Sequence, residues 1–319
     1  MRFRLISETP SFDFFKPLRF WLAVSILGVV LTLILLPIRG LNFGVDFLGG
    51  TLILAEFPEQ RDVGDYRAAL GGLGLGEPTV TEASGGSGGQ VVLFRVGNPE
   101  DAGEGAAPVA EQVRAALDAA FPGVTYLQVD QVGGKVSAEL VTTGFIAIGV
   151  SLLAIMAYVW LRFEWQFAVG AVVSLFHDVV VVVGVFSLFQ LQFDLTIVAA
   201  MLTIIGFSIN DTVVVFDRVR ENLRKYKKMP LRDVMNLSLN ETLSRTMMTI
   251  FTVLIAVVSL LVFGGPVTFG FALATTIGLI VGTYSSIWVA SAIVLRLGVK
   301  RDWGPKSGEA GTQFGKAGA

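Results

Sequence analysis

The chain has 319 residues, of which 53% are hydrophobic and only 16% charged, with a formal net charge of −2 and no cysteine. A soluble domain carries about 25% charged residues, so this composition excludes an ordinary water-soluble protein and points to a membrane protein with one polar insert. The lack of cysteine excludes a disulfide framework, a thiolate nucleophile and a thiolate metal site.

Six apolar segments are long enough to cross a bilayer, which takes about 17–25 mainly apolar residues. The first, Phe20–Leu36, follows a basic segment, residues 1–19, with Arg2, Arg4, Lys16 and Arg19. Its apolar core exceeds the h-region of a signal peptide and no small-x-small cleavage pattern follows cleanly, so it reads as a retained span.

Residues 40–139 form the large hydrophilic section and hold more Asp and Glu than Lys and Arg. Thr51–Phe57 reads as a strand, Asp62–Leu70 as a short helix and Pro78–Glu82 as a weak strand. After the turn SGGSGG come a strand, Val91–Val96, an amphipathic helix, Val109–Phe121, and a closing strand, Val124–Val129. This βαββαβ order predicts a small ferredoxin-like α+β domain with one sheet face under two helices. The glycine runs GGLGLGEP and GGSGGQ lack the strand–helix context of a dinucleotide site and the Gly-Lys-Ser/Thr ending of a phosphate loop; they read as turns.

The second span is Leu140–Leu161 and the third Phe167–Phe189, which carries His177 and Asp178, with Ser174 one turn before Asp178. The fourth is Leu195–Phe216, with Thr203, Ser208, Asn210 and Asp211. Asp217 and Arg218 follow directly and are expected to end the span at the interface. The basic loop 218–240 reads as partly helical, broken at Pro230, its second half lying along the interface. The fifth span, Leu243–Phe263, places Arg245, Thr249 and Thr252 on one stripe. The sixth, Phe269–Leu295, has Gly278 and Gly282 on a small-residue face that Ser286 continues, which permits close helix contact. The Gly/Ala-rich tail 300–319 reads as disordered. The basic residues before span one, Arg162, the 218–240 cluster and the C-terminal basic residues all fall on one side if the spans alternate. The positive-inside bias makes that side cytoplasmic, with both termini, and puts 40–139 outside. These basic runs read as topology signals and not as nucleic-acid sites.

A charge in hydrocarbon costs several kcal/mol and calls for an interior position and a partner. Asp211 lies about 9 Å inside Asp217 along a helix rising 1.5 Å per residue. Arg245 lies at similar depth if the fifth helix starts near Leu239, so an ion pair is expected between them. That pair reads either as a helix staple or as part of a proton relay, with Asp178 as a second titratable site. His177 is the chain's single histidine. Adjacent helix positions diverge by about 100°, so it need not share a cavity with Asp178. One histidine with scattered carboxylates does not make a zinc site, and no HExxH, Walker or serine–histidine–acid pattern supports an enzyme.

The stretches GLNFGVDFLGGTLI, RFEWQFAVGAVVSLFHDV, GFSINDTVVVFDRVREN, ETLSRTMMT and GTYSSIWVAS occur in that order on these segments. In them the chain resembles the SecF branch of the SecD/SecF family of bacterial preprotein-translocase subunits, from about Phe12 to Val299. Leu48 departs from the smaller polar residue of many relatives. The resemblance implies half of an RND-type transporter fold with a periplasmic domain. It implies SecD, an accessory YajC-like subunit, the SecYEG channel and the translocating preprotein as partners, and no cofactor. It also implies proton-gradient-driven late translocation at the inner membrane. Asp211 and Arg245 match positions implicated in proton conduction, Asp178 less closely. Asn210, Asp217, Arg218, Gly278, Gly282 and Ser286 are expected at interfaces or packing contacts.

Overall fold

The computed structural model describes residues 11–75, 78–83, 89–97 and 108–299. Most of the SGGSGG turn and the whole tail 300–319 lie outside these residues. Among the described residues, six helices are long and apolar enough to cross a membrane. The first is α1 (Leu18–Arg39). The short elements β1 (Asn42–Phe43) and α2 (Val45–Leu48) lead into the polar domain. That domain runs β2 (Gly50–Phe57), α3 (Val63–Leu70), β3 (Thr79–Ala83), β4 (Gln90–Val96), α4 (Val109–Ala120) and β5 (Thr125–Val132). The chain returns through α5 (Gly134–Arg162) and α6 (Trp165–Phe189), then β6 (Gln192–Phe193), α7 (Leu195–Lys225) and α8 (Leu231–Phe263). The last span is α9 (Pro266–Ser285), a π-helical segment (Ser286–Ala290) and α10 (Ser291–Leu297).

A helix satisfies its own backbone, which is why apolar runs cross lipid in this form. Helices α6, α7 and α9 make up the interior of the bundle and bury Phe167, Leu175, Ile204, Phe216 and Ala274. Helices α1, α5 and α8 lie outside them, exposing Leu27, Ile34, Phe145, Leu153, Phe251 and Ile255. Those faces suit lipid or another membrane chain.

The polar domain is the βαββαβ unit expected, an antiparallel sheet in the order β3-β4-β2-β5. Alternation along the strands turns Ile53, Ala55, Phe57, Val92 and Phe94 toward α3 and α4, where Tyr66, Val113 and Leu117 complete the core. The Tyr66 hydroxyl, deep in it, donates to Gln90 Oε1 at 2.8 Å.

The segment between Pro230 and span five does not lie along the interface. Leu231–Phe263 is one helix without a break. It holds no glycine or proline, and its first turns have something to pack on. Val234, Met235 and Leu239 meet Phe216, Val219 and Leu223, because α7 also runs on past Asp217 to Lys225. Asn222 Nδ2 donates to Ser238 Oγ at 3.0 Å between the two helices, and Arg218 pairs with Glu241 at 2.6 Å. Only Tyr226–Pro230 separates them.

The join between α1 and the domain is a built junction. β1 pairs in parallel with β6, Asn42 opposite Gln192 and Phe43 opposite Phe193. Asp46 Oδ2 accepts from Leu195 N–H at 2.9 Å. Asp194 caps the same helix, accepting from Thr196 and Ile197 N–H. Two carboxylates from separate segments therefore hold the positive end of the α7 dipole. Burial pushes the Asp194 carboxyl up and the neighbouring Asp46 charge adds to this, against the pull of the Thr196 and Ile197 hydrogen bonds. Two-residue strands pass unnoticed in a sequence because they have no periodicity.

Glycine is required at Gly50, where φ is +123° and an added Cβ would stand 2.7 Å from the Val96 carbonyl oxygen. Gly50→Ala is expected to cost at least about 2 kcal/mol through strain and clash. Gly71 has open space and a φ of −62°, so Gly71→Ala is expected to be neutral or to stabilise by about 0.4–1 kcal/mol. Chemical denaturation of the purified protein in detergent, followed by Tyr66-region hydrogen exchange, checks the contrast; equal effects from the two changes would contradict it.

Candidate functional site

The polar residues of α6, α7 and α9 meet near mid-bundle because two of the helices approach closely. A Cβ on Gly278 would overlap the Ile204 side chain, and one on Gly282 would stand 3.1 Å from Ser208 Cβ and 3.4 Å from Asp178 Oδ2. Glycine at both positions therefore lets α9 lie against α7, and Ser208 reaches across to α6. Its hydroxyl donates to Asp178 Oδ2 at 2.7 Å.

Asp178 is 1% exposed and fully engaged. Its Oδ1 is 3.0 Å from His177 Nδ1. The two side chains do face one another: the 100° divergence of adjacent positions is closed by the imidazole turning back toward the carboxylate. His177 Nε2 is 2.7 Å from the Tyr284 hydroxyl, which Ser25 Oγ approaches at 3.2 Å from α1. Ser174 is one turn from Asp178 but bonds Ser285 Oγ at 3.0 Å. Ser286 opens the π-helical segment and shares a 2.8 Å hydrogen bond with Thr212. A π-helical turn closes i→i+5 hydrogen bonds, is wider than an α-helical turn, and is frequent at functional sites. Ser25 carried no sequence signal beyond being a polar residue on an apolar helix, and Tyr284 lies in the polar stretch GTYSS without having been singled out.

Asp211 behaves differently. It is 9% exposed, yet among the described residues its carboxylate has no hydrogen-bond or ion-pair partner. It lines a cavity of about 410 Å³ between α7, α8 and α9, together with Asn210, Ser208, Thr249, Thr252 and Gly282. Arg245 is near enough for its charge to act on the carboxylate, but the two do not form the expected direct pair. The Arg245 side chain is exposed. It lies on the same stripe of α8 as Thr249 and Thr252, which line the cavity, so its charge is on the cavity side without closing a direct bond to Asp211. Asp217 pairs with Arg162 at 3.3 Å, and Arg218 with Glu221 and Glu241. Both lie within α7 and not at its end. Among the described residues no group of three His, Asp or Glu side chains is placed to hold a metal ion.

These features define a multi-pass membrane protein with ionisable side chains at the centre of its helix bundle and a ferredoxin-like domain outside it. Residues 112–300 match the family described as protein export membrane protein SecD/SecF, C-terminal, and residues 34–57 match the SecD/SecF GG motif. The chain is 52% identical to the protein translocase subunit SecF of Cereibacter sphaeroides, over 98% of each chain. It is 49% identical to that of Rhodobacter capsulatus, over 94% of this chain and 93% of the relative. The crystal structure of SecDF, a translocon-associated membrane protein from Thermus thermophilus, matches with a TM-score of 0.81 at 34% identity. A SecDF structure in the super-membrane-facing form matches at 0.65. Each match covers 93% of this chain, which spans 40% of the SecDF chain. The chain belongs to the SecD/SecF family of protein export membrane proteins. The matched GG motif coincides with the junction of β1, α2 and Gly50 described above.

The close approach of α7 and α9 makes a direct prediction. Gly282→Ala is expected to push Ser208 away from Asp178 and to cost about 1–3 kcal/mol by overpacking. Gly206→Ala, on an open face of α7, is expected to leave stability unchanged or raised by up to about 1 kcal/mol. Thermal unfolding in one detergent compares the two. A Gly282→Ala protein as stable as the parent would contradict the packing described.

Proposed function

We propose that the chain is the SecF half of a proton-coupled protein translocation unit in the bacterial inner membrane. The observation that carries this is Asp211, a carboxylate in a mid-bundle cavity with no fixed partner. Such a group takes up or releases a proton without first breaking a hydrogen bond, whereas Asp178 is held by two. A helix staple would need the Asp211–Arg245 ion pair to be closed, and it is open here. Arg245 is then the mobile counter-charge that favours ionised Asp211 when it swings in. SecD supplies the second half of the transporter; the match of this chain to part of a SecDF chain supports that partnership. The accessory YajC-like subunit, the SecYEG channel and the emerging preprotein complete the assembly.

The same reading orients the chain. The end bearing Lys16, Arg162, Arg224, Lys225 and Arg296 is cytoplasmic, with both termini, and the domain of residues 40–139 is periplasmic. Proton entry at the Asp211 cavity acts on α7, whose first turn is bonded to the domain junction through Asp46.

Asp211→Asn keeps the shape and removes the titratable group. It is expected to reduce gradient-stimulated protein export at least about tenfold in inverted membrane vesicles, with normal assembly with SecD. Full export from vesicles carrying Asp211→Asn removes Asp211 from the mechanism. Loss of assembly supports a purely structural subunit instead.

For topology, single cysteines at Lys227 and Gln128 are read with an impermeant thiol reagent on intact spheroplasts. Labelling is expected at Gln128 and not at Lys227, and the opposite pattern inverts the orientation.

A further inference from the structure

The chain Ser25, Tyr284, His177, Asp178, Ser208 crosses the bundle from α1 to the Asp211 cavity. Distances along it are 3.2, 2.7, 3.0 and 2.7 Å. Its members come from α1, α9, α6 and α7, so it is not a by-product of one helix's periodicity. Each is buried or partly buried, and His177 and Asp178 are 5% and 1% exposed.

The donors assign themselves. An ionised carboxylate only accepts, so Asp178 takes the Nδ1–H of His177 and the O–H of Ser208. Neutral His177 is then left with a lone pair on Nε2, and Tyr284 must donate to it. The Tyr284 oxygen in turn accepts from Ser25. Every hydrogen between Ser25 and Asp178 points toward the carboxylate. Added charge reverses part of this order. When a proton goes onto Nε2, that nitrogen becomes a donor, Tyr284 accepts from it, and the tyrosine hydrogen turns to Ser25 Oγ. No heavy-atom bond forms or breaks. The imidazolium–carboxylate pair is neutral overall, which limits the cost of burying the charge.

We infer that His177 and Asp178 together form a second proton-binding site, connected to the Asp211 cavity through Ser208 and read out on α1 through Tyr284 and Ser25. The inference rests on the proton-coupling reading above and adds residues to it. Other ionisable groups near the pair are few. No charged residue lies on α1 between Arg19 and Arg39 or on α5 between Glu139 and Arg162. On α9 only Tyr284 titrates, α7 brings Asp211 across the Ser208 turn, Arg245 lies beyond it on α8, and Arg296 sits at the far end of α10. Asp178 is thus the charged group in direct contact with the ring.

The single histidine makes the test specific. The full chain, without a histidine tag, is labelled with ¹⁵N-histidine, assembled with unlabelled SecD in lipid bilayers, and followed by solid-state NMR between pH 5 and 9. The ring is expected to be neutral and Nδ1-protonated at the alkaline end, with Nε2 accepting a hydrogen bond, and to become imidazolium as pH falls. Tyr284→Phe is expected to remove the Nε2 hydrogen-bond signature, and Asp178→Asn to lower the titration midpoint by about one pH unit or more. A ring that stays neutral throughout, an Nε2-protonated neutral form, or a midpoint indifferent to Asp178→Asn overturns the inference. The measurement needs no export. A titrating ring beside export that ignores Asp211→Asn supports this site while removing the coupling reading. A silent ring beside Asp211-dependent export does the reverse.

Discussion

Polar groups in hydrocarbon must find their partners inside the protein, and the core of this bundle is arranged around one such group, the Asp178 carboxylate. To satisfy it, Ser208 must come across from α7 and His177 must turn back along α6. Ser208 reaches only because α9 carries glycine where α7 presses against it, at Gly278 beside Ile204 and Gly282 beside Ser208. The small-residue face is therefore more than a packing convenience. It sets the distance at which a hydroxyl on one helix bonds a carboxylate on another, and it brings Thr212 to Ser286 a turn further on. An unpaired charge here would cost several kcal/mol; the network removes that cost for Asp178 and leaves it on Asp211. The contrast is between two carboxylates of one bundle, one bonded to His177 and Ser208 and one without a partner among the described residues.

The spans and the polar domain were legible in the sequence, for physical reasons that differ. Hydrophobic runs such as Phe167–Phe189 announce themselves because lipid tolerates little else. The βαββαβ order was legible because TLILAEF and VVLFRV are β-rich and VAEQVRAALDAAF has the helical period. The junction was not, since Asn42–Phe43 and Gln192–Phe193 are too short for any period and their partnership spans some 150 residues of chain. The helical hairpin was partly legible. The helix formers of DRVRENLRK read as helix, and their spacing buries Val219, Asn222 and Leu223 against α8; the unbroken run of α8 from Leu231 into span five was not read.

Candidate residues divide in the same way. The sequence singled out Asp178, Asp211, Asn210, Gly282 and Ser286, and the fold brings these to neighbouring positions. It also suggested a closed Asp211–Arg245 pair from equal depth alone. Depth is one coordinate of three, and equal depth on facing helices does not set the distance between two side chains; the Asp211 carboxylate faces a cavity between α7 and α8 and not a bonded guanidinium. His177 was the opposite case. Helical geometry left open whether it shares a cavity with Asp178, and the structure places its Nδ1 3.0 Å from that carboxylate. Tyr284 and Ser25 became visible only once α1, α6 and α9 were placed together.

Helix α7 joins these observations into one mechanical element. Its first turn is held by Asp46 and Asp194 at the domain junction, its middle carries Ser208, Asp211 and Thr212, and its last turns are bonded to α8 through Asn222 and Arg218. Between Phe207 and Lys225 this helix has no proline or glycine, and Gly206 lies between Asp211 and the junction, so the stretch from Asp211 toward α8 is its stiffer part. The glycines of the domain joins therefore need not act as hinges: Gly44 N–H bonds the Phe193 carbonyl at 2.7 Å, and its Cα packs where a Cβ would meet Asp194. A junction bonded this tightly moves with the start of α7. We propose that a change of charge at Asp211 that alters how α7 sits against α9 reaches the base of the sheet through this junction.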